Sequence, residues 1–224
     1  MVASRRSRLA TAGSVIAVVA VTSVAVMTST GSATSACRER KQAKAVLRNT
    51  SGERIGIVDF WADGTCTTRV VAKIGQFNLN GEESGLSEGF HGFHIHTTGN
   101  CDRNATDDQG NASPFFTAGA HWNPNDRTHG EHRGDLPPLM ATTGGLARAN
   151  VLTDRFTINR LFDDDGSAVI VHAGPDNLAN VPAETSDGAE RYHSHTADTM
   201  GPDETTLATG DAGSRFACGV ITKV

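Results

Sequence analysis

Three histidines fall within six residues in the segment Gly-Phe-His-Gly-Phe-His-Ile-His at positions 89–96. If this segment is a β-strand, its side chains alternate between two faces, so His94 and His96 point to one side and Phe93 and Ile95 to the other. Two imidazoles at i and i+2 on a rigid strand form a chelating pair, and neutral imidazole suits copper, zinc and iron. Because an isolated His-x-His also occurs as a chance polar face, this pair alone leaves both interpretations open.

A second set of possible metal ligands lies in the polar, glycine-rich segment 119–135. Its candidate ligands are His121, His129, His132 and Asp135. A segment with so little apolar surface cannot order itself by hydrophobic burial, whereas three histidines and a carboxylate can hold a metal ion. The segment therefore predicts a metal-ordered loop, with a solvated loop as the alternative. One more histidine, His172, ends the apolar run at 168–172.

The elements that must position these residues are short apolar runs separated by Gly, Asp and Asn. The pattern favours one β-rich domain over two smaller ones. Eight strands are predicted, at 44–49, 54–61, 67–74, 89–97, 145–153, 156–162, 168–172 and 213–222. Short strands with long polar loops indicate an all-β Greek-key barrel or sandwich. The loop 173–213 is long enough to predict a functional role.

The first 36 residues have a different character. Arg5, Arg6 and Arg8 precede an apolar run at 15–27 and a stretch of small residues, which is the order found in signal peptides. The run has about 13 residues, fewer than the roughly 20 that span a bilayer. We therefore predict a signal peptide at 1–36 and an exported domain at 37–224, located outside the cell or in the cell envelope.

The charge of the exported domain is acidic. Removal of residues 1–36 leaves 17 Lys and Arg against 25 Asp and Glu, a net charge of −8. The sequence carries no basic patch with interleaved aromatic residues. Nucleic acid is therefore not an expected partner.

Four cysteines, Cys37, Cys66, Cys101 and Cys218, are an even number in an exported chain and suggest disulfides. If the first predicted hairpin turns between Ser51 and Gly52, position n faces position 103 − n. Cys37 would then face Cys66, which predicts a bridge between them. A competing interpretation is that residues 34–37 form a weak lipoprotein cleavage box, which would place a lipid anchor on Cys37.

Five motifs occur in an order that carries a family resemblance. They are Gly-Phe-His-Ile-His ending at 96, Ala-Gly-Ala-His-Trp-Asn-Pro ending at 124, Gly-Asp-Leu ending at 136, Val-Ile-Val-His ending at 172 and Gly-Asp-Ala-Gly-Ser-Arg-Phe-Ala-Cys-Gly-Val-Ile ending at 221. Together they resemble the copper,zinc superoxide dismutases, over roughly residues 43–222. The resemblance implies a flattened eight-stranded Greek-key β-barrel with long metal-binding and electrostatic loops.

The resemblance also implies a role for each matching residue. Copper would be held by His94, His96, His121 and His172, and zinc by His121, His129, His132 and Asp135. His91 would be a packing histidine, Asp176 would link a copper histidine to a zinc histidine, and Cys101 and Cys218 would form a disulfide. Arg215 would lie beside the copper and, with His121, take part in catalysis.

The implied activity is dismutation of superoxide to dioxygen and hydrogen peroxide by copper that is alternately reduced and reoxidised. Zinc is redox-inert and would be structural. Superoxide is then the small-molecule substrate, and a homodimer is an oligomeric state that the resemblance allows. A copper-binding or copper-delivery protein without turnover is the alternative on the same scaffold.

Two features depart from the family pattern. Only Gly130 and Glu131 separate His129 from His132, so the zinc loop is short. A second His-x-His, His193 and His195, lies in the long acidic loop. It is either a solvated insertion or an auxiliary site for metal capture.

Overall fold

The computed structural model describes residues 40–62, 67–75 and 85–224. The strands are β1 (Arg40–Asn49), β2 (Arg54–Ala62), β3 (Thr68–Ile74), β4 (Gly89–His91), β5 (Phe93–His96), β6 (Leu139–Ala141), β7 (Ala147–Thr153), β8 (Ala168–His172), β9 (His193–Ser194), β10 (Thr199–Met200) and β11 (Arg215–Lys223). One α-helix, α1, spans Glu204–Thr209, and short 3-10 helices span Phe116–Ala118 and Ile158–Leu161. The described residues contain no helix that is long and apolar enough to cross a membrane.

Nine strands form one antiparallel sheet in the order β4-β6-β7-β3-β2-β1-β11-β8-β5. The two end strands, β4 and β5, follow each other in the chain with only Gly92 between them. The predicted strand 89–97 therefore forms both edge strands of the sheet, β4 and β5. The sheet curls into a nearly closed Greek-key barrel. Counted as one strand, β4 and β5 give a sheet of eight strands, of which seven were predicted, and the predicted all-β fold is confirmed.

Gly92 has a physical reason to be glycine. A Cβ at this position would lie 2.6 Å from Ala212 Cβ and 3.0 Å from His94 Cε1. The chain at Gly92, where it crosses between the two edges of the sheet, is thus packed directly against the loop 173–213 and against His94.

The barrel core comes from strands that alternate between buried and more exposed residues, as β3 does at every second position. Its largest side chains include Phe60, Phe93 and Leu161. Burial of each such side chain contributes roughly 1.5–3 kcal/mol. Two strands depart from alternation, because every residue of β5 and β8 is buried. One face of each packs on the barrel core, and loops cover the other face.

The predicted strand at 156–162 is wrong. The chain there forms the 3-10 helix Ile158–Leu161, and the two end residues of this helix are buried. Residues three apart lie on one side of a 3-10 turn, so the same apolar residues reach the core without a strand. Thr68 Oγ1 donates to the carbonyl of Phe156 over 2.9 Å and fixes the start of the turn. The three-residue strand β6, which follows Pro137-Pro138, was not predicted.

The first hairpin has the predicted register over most of its length. Ala43 pairs with Phe60 and Leu47 with Gly56, but a bulge beyond Ala43 shifts the register by one, so that Lys41 pairs with Trp61. The predicted Cys37–Cys66 bridge and the signal peptide 1–36 lie outside the described residues.

Candidate metal centre

The loop that follows His96 folds against the free edge of β5. The amides of Trp122 and Ile95 bond to the carbonyls of Ile95 and Gly134, respectively, each over 2.8 Å. Isolated bridges pair His96 with His121 and His94 with Asp135. Backbone pairing to a rigid strand thus carries the polar loop to the histidines of β5.

Four buried histidines converge where this loop, β5 and β8 meet. They are His94, His96, His121 and His172. One ring nitrogen from each lies within 4.8 Å of the others. The centroids of the His94 and His121 rings are 4.0 Å apart. The structure therefore brings together all four residues that the resemblance assigns to copper.

Hydrogen bonds fix which nitrogen of each ring is free. His94 Nε2 lies 2.6 Å from Asp176 Oδ2, His96 Nδ1 2.8 Å from Gly119 O, and His172 Nδ1 3.0 Å from Gly213 O. Each of these nitrogens must carry the proton, since its partner is an acceptor. The other nitrogens, His94 Nδ1, His96 Nε2 and His172 Nε2, are buried without a hydrogen-bond partner. Buried polar atoms are rarely left unpaired, and three lone pairs aimed at one point fit a metal ion.

A second group converges on Asp135. Asp135 Oδ1 lies 3.1 Å from His121 Nδ1 and 3.2 Å from His132 Nδ1, and Oδ2 lies 3.4 Å from His129 Nδ1. His129 Nδ1 is also buried without a hydrogen bond. Four ligand atoms within 4.8 Å of one another come from His94, His121, His129 and Asp135. His132 faces the same carboxylate, and we assign it rather than His94 to this group because His94 directs its free nitrogen to the first.

Asp176 joins the two groups through one buried carboxylate. Its Oδ2 bonds His94 Nε2 over 2.6 Å, and its Oδ1 bonds His129 Nε2 over 2.8 Å. Burial acts to raise the pKa of Asp176, but the hydrogen bonds from His129 and His94 outweigh burial and hold this pKa well below its usual value. Asp176 is therefore a carboxylate that orients one histidine in each group.

Burial sets the charge of the first group. It lowers the pKa of His121 to about 4 and that of His172 to about 3, and it lowers the pKa of His94 and His96 as well. These imidazoles are neutral at pH 7, which is the form that binds metals.

His129 differs because it lies between two carboxylates. Burial alone would lower its pKa, but the nearby carboxylates of Asp135 and Asp176 raise it to about 9. In the same way, hydrogen bonds from histidines outweigh burial and lower the pKa of Asp135. Asp135 is therefore a carboxylate at pH 7, as a ligand for a divalent cation must be, and His129 must release its proton when a metal binds.

A cleft of about 670 Å³ gives solvent access to His96, His121 and His172. Arg215 lies at its wall and is the one Lys or Arg among the described lining residues. The guanidinium donates to the carbonyls of Phe115 and Gly119 and lies 5.9 Å from the centroid of the Phe116 ring. An anion entering the cleft thus meets a fixed positive charge beside the histidines.

The disulfide predicted between Cys101 and Cys218 is confirmed. It joins the loop after β5 to β11, three residues from Arg215, and spans 117 residues of sequence. A loop of this size is assigned roughly 4–5 kcal/mol of stabilisation by chain-entropy models. The bridge therefore ties the loop that supplies Phe116 and Gly119 to the strand that supplies Arg215.

The remaining histidines lie outside the two groups. His91 is buried, with Nδ1 2.9 Å from His172 O and Nε2 2.9 Å from Ser87 O, as the packing role predicts. His193 lies between Glu190 Oε1 at 2.6 Å and Asp198 Oδ1 at 3.1 Å, which raise its pKa. A metal at His193 would have to displace the carboxylate that faces the ring nitrogen it binds. Auxiliary metal capture stays a prediction. The two contacts join His193, on β9, to residues that precede β9 and β10.

Two residues that position the site belong to no recognisable local motif in the sequence. Arg155 donates to carbonyls of the loop around Asp135, and Gly210 ends α1 against Asp176. Both act through contacts between segments that are far apart in sequence.

We expect Gly210→Ala to weaken metal binding. Gly210 has φ +63°, a left-handed conformation that costs an alanine about 1–2 kcal/mol, and its Cβ would collide with Asp176 Oδ1 and His129 Nε2. Separation of these two atoms should lower zinc content at a fixed free zinc concentration, measured by competition with a chromophoric chelator. Gly188→Ala, also at positive φ but with open space around its Cβ, is the control, and equal zinc binding by both variants would contradict the expectation.

The fold and the site define an all-β protein with a histidine-rich centre for two metal ions. A family profile described as copper/zinc superoxide dismutase matches residues 62–221. The chain therefore belongs to the copper/zinc superoxide dismutase family.

Individual relatives agree with this placement. The chain is 44% identical over 137 residues to the Cu-Zn superoxide dismutase of Mycobacterium bovis, covering 61% of this chain and 54% of the relative. It is 43% identical over 137 residues to that of Mycolicibacterium paratuberculosis, covering 61% and 57%. It is 31% identical over 172 residues to Cu-Zn superoxide dismutase 3 of Arabidopsis thaliana, covering 74% and 81%. The chain thus spans just over half the length of these mycobacterial relatives.

Proposed function

We propose that this chain is an exported superoxide dismutase that binds one copper and one zinc. Copper would be held by His94, His96, His121 and His172, and zinc by His121, His129, His132 and Asp135. The observation that carries the proposal is the position of His121. Its Nδ1 faces Asp135, while its ring is also one of the four that converge below the open cleft.

The bound metals would supply a one-electron redox couple from copper and a redox-inert cation from zinc. The chain supplies the remaining requirements. Arg215 attracts the superoxide anion into the cleft, against the net negative charge of the exported domain. The reaction consumes protons, and His121 Nε2 is placed to take one up at the cleft and give it to the product. Asp135 holds the opposite nitrogen of the same ring.

Export is part of the proposal. The Cys101–Cys218 disulfide supports it, because such bonds persist in oxidising compartments. The predicted signal peptide at 1–36 supplies the route. The resemblance allows a homodimer without fixing the oligomeric state, which sedimentation of the purified protein would measure.

The decisive experiment measures superoxide decay by the mature chain loaded with copper and zinc, with metal content determined in parallel. We expect catalysed decay at equimolar copper and zinc. His172→Gln should lose copper and activity together, since it removes one of the three unpaired nitrogens. His193→Gln, which changes a histidine outside both groups, should keep the copper of the four-histidine group and the activity. Bound copper without catalysed decay would instead support a copper-delivery protein.

A further inference from the structure

Arg155 lies directly behind the loop that carries the proposed zinc ligands. Its Nη1 donates to His132 O over 2.9 Å and to Asp135 O over 3.3 Å, and its Nη2 donates to Gly130 O over 2.9 Å. Two of these carbonyls belong to proposed ligands, and the third belongs to the residue after His129. One side chain thus fixes the backbone at or next to three of the four ligands.

The contact between this loop and Arg155 is reciprocal. Arg133, in the loop, donates from Nη1 to the carbonyl of Arg155. The amides of Gly130 and His132 donate to Asp135 Oδ2 over 2.8 and 3.0 Å. Asp135 therefore ties the amide side of the turn from within, and Arg155 ties its carbonyl side from outside.

The short loop needs such support. Only two residues separate His129 from His132, and the segment has little apolar surface with which to order itself. Ordering a backbone costs conformational entropy. If hydrogen bonds order the loop before the metal binds, less of this cost falls on metal binding, and metal affinity is higher. A planar guanidinium with five donors can bond three carbonyls at once, whereas a lysine ammonium is a compact point charge.

We propose that Arg155 is a positioning residue that holds the shortened loop in ligand geometry before the metal binds and so sets the zinc affinity of the site. The proposal rests on the two-metal function above. It concerns the affinity of the site rather than the chemistry of turnover.

The test is Arg155→Gln, with zinc affinity of the copper-loaded chain measured by competition with a chromophoric chelator. We expect zinc affinity to fall about 10–100-fold, as is typical when a partner that orients ligands is lost. Cobalt(II) bound in place of zinc should show altered d–d bands, which report ligand geometry. Copper stoichiometry should not change. Arg148→Gln is the matched control, because Arg148 lies on β7 and donates to the carbonyls of Ile74 and Ala147, outside this loop.

Unchanged zinc affinity and cobalt bands in folded Arg155→Gln would overturn the proposal. If that variant does not fold, Arg155→Lys takes its place. We expect an intermediate loss of zinc affinity from Arg155→Lys, and native zinc affinity would overturn the proposal. Amide hydrogen exchange of the metal-free native chain gives an independent result. Gly130 and His132 should be protected without metal, and free exchange there would refute preorganisation. If the native chain binds no zinc at all, the two-metal function fails, which is a distinct outcome.

Discussion

Asp176→Asn should lower the affinity of the chain for both metals by about 10–100-fold, the usual effect of removing a partner that orients metal-binding histidines. The aspartate accepts from His94 Nε2 and His129 Nε2 through separate oxygens. An asparagine has only one oxygen, so its amide N–H would face one of the two ring N–H groups. One histidine would then lose its acceptor, and the other would keep only a neutral amide oxygen, which is a weaker acceptor than a carboxylate. Chelator competition for copper and for zinc, performed separately, measures both losses.

A matched control lies in the same loop. Asp187 is an exposed aspartate that accepts a hydrogen bond from Thr185 and contacts neither His94 nor His129. Asp187→Asn removes the same negative charge as Asp176→Asn. We expect native affinities from this variant. If Asp176→Asn loses only one of the two metals, the carboxylate orients one group rather than both, and its proposed linking role is wrong. Native affinity for both metals would remove any role for Asp176 in the centre.

Arg215→Glu should lower the second-order rate constant for superoxide decay by about 10–1000-fold, the range in which electrostatic focusing acts. Arg215 is the one Lys or Arg among the described residues that line the cleft. Its replacement by a carboxylate would repel the substrate within a chain that already carries excess negative charge. In the native chain, added salt should lower the rate constant by screening the attraction between Arg215 and superoxide. In Arg215→Glu this attraction is absent, so the rate constant should no longer fall with added salt. Pulse radiolysis or stopped-flow decay at several ionic strengths measures both effects.

The control for this prediction changes the net charge by the same amount at another place. Arg160 is exposed on the 3-10 helix Ile158–Leu161, outside the cleft, and Arg160→Glu should reduce the rate only slightly. Arg215→Gln separates loss of attraction from added repulsion and should give an intermediate rate. If Arg215→Glu and Arg160→Glu have the same rate, net charge alone governs the encounter and Arg215 does not steer.

Local patterns in the sequence predicted much of this molecule. Alternation in the segment 89–96 placed His94 and His96 on the side opposite Phe93 and Ile95, and the structure buries those two apolar residues in the barrel core. The low apolar content of 119–135 indicated that something outside its own side chains must order it. The structure supplies hydrogen bonds to β5 as one such contact. The strand predicted at 156–162 failed because apolar residues at i and i+3 can be buried by a 3-10 turn as well as by a strand.

The sequence by itself determined the strand-rich fold, the candidate ligands and, through its motifs, the disulfide partners. These features depend on residue type and near spacing, which a linear pattern records. Only the tertiary structure decided that Gly92 passes the chain from one barrel edge to the other, that Gly210 leaves room for Asp176, and that Arg155 bonds the zinc loop. Each of these depends on contact between segments distant in the chain, and such contacts exist only once the barrel has closed.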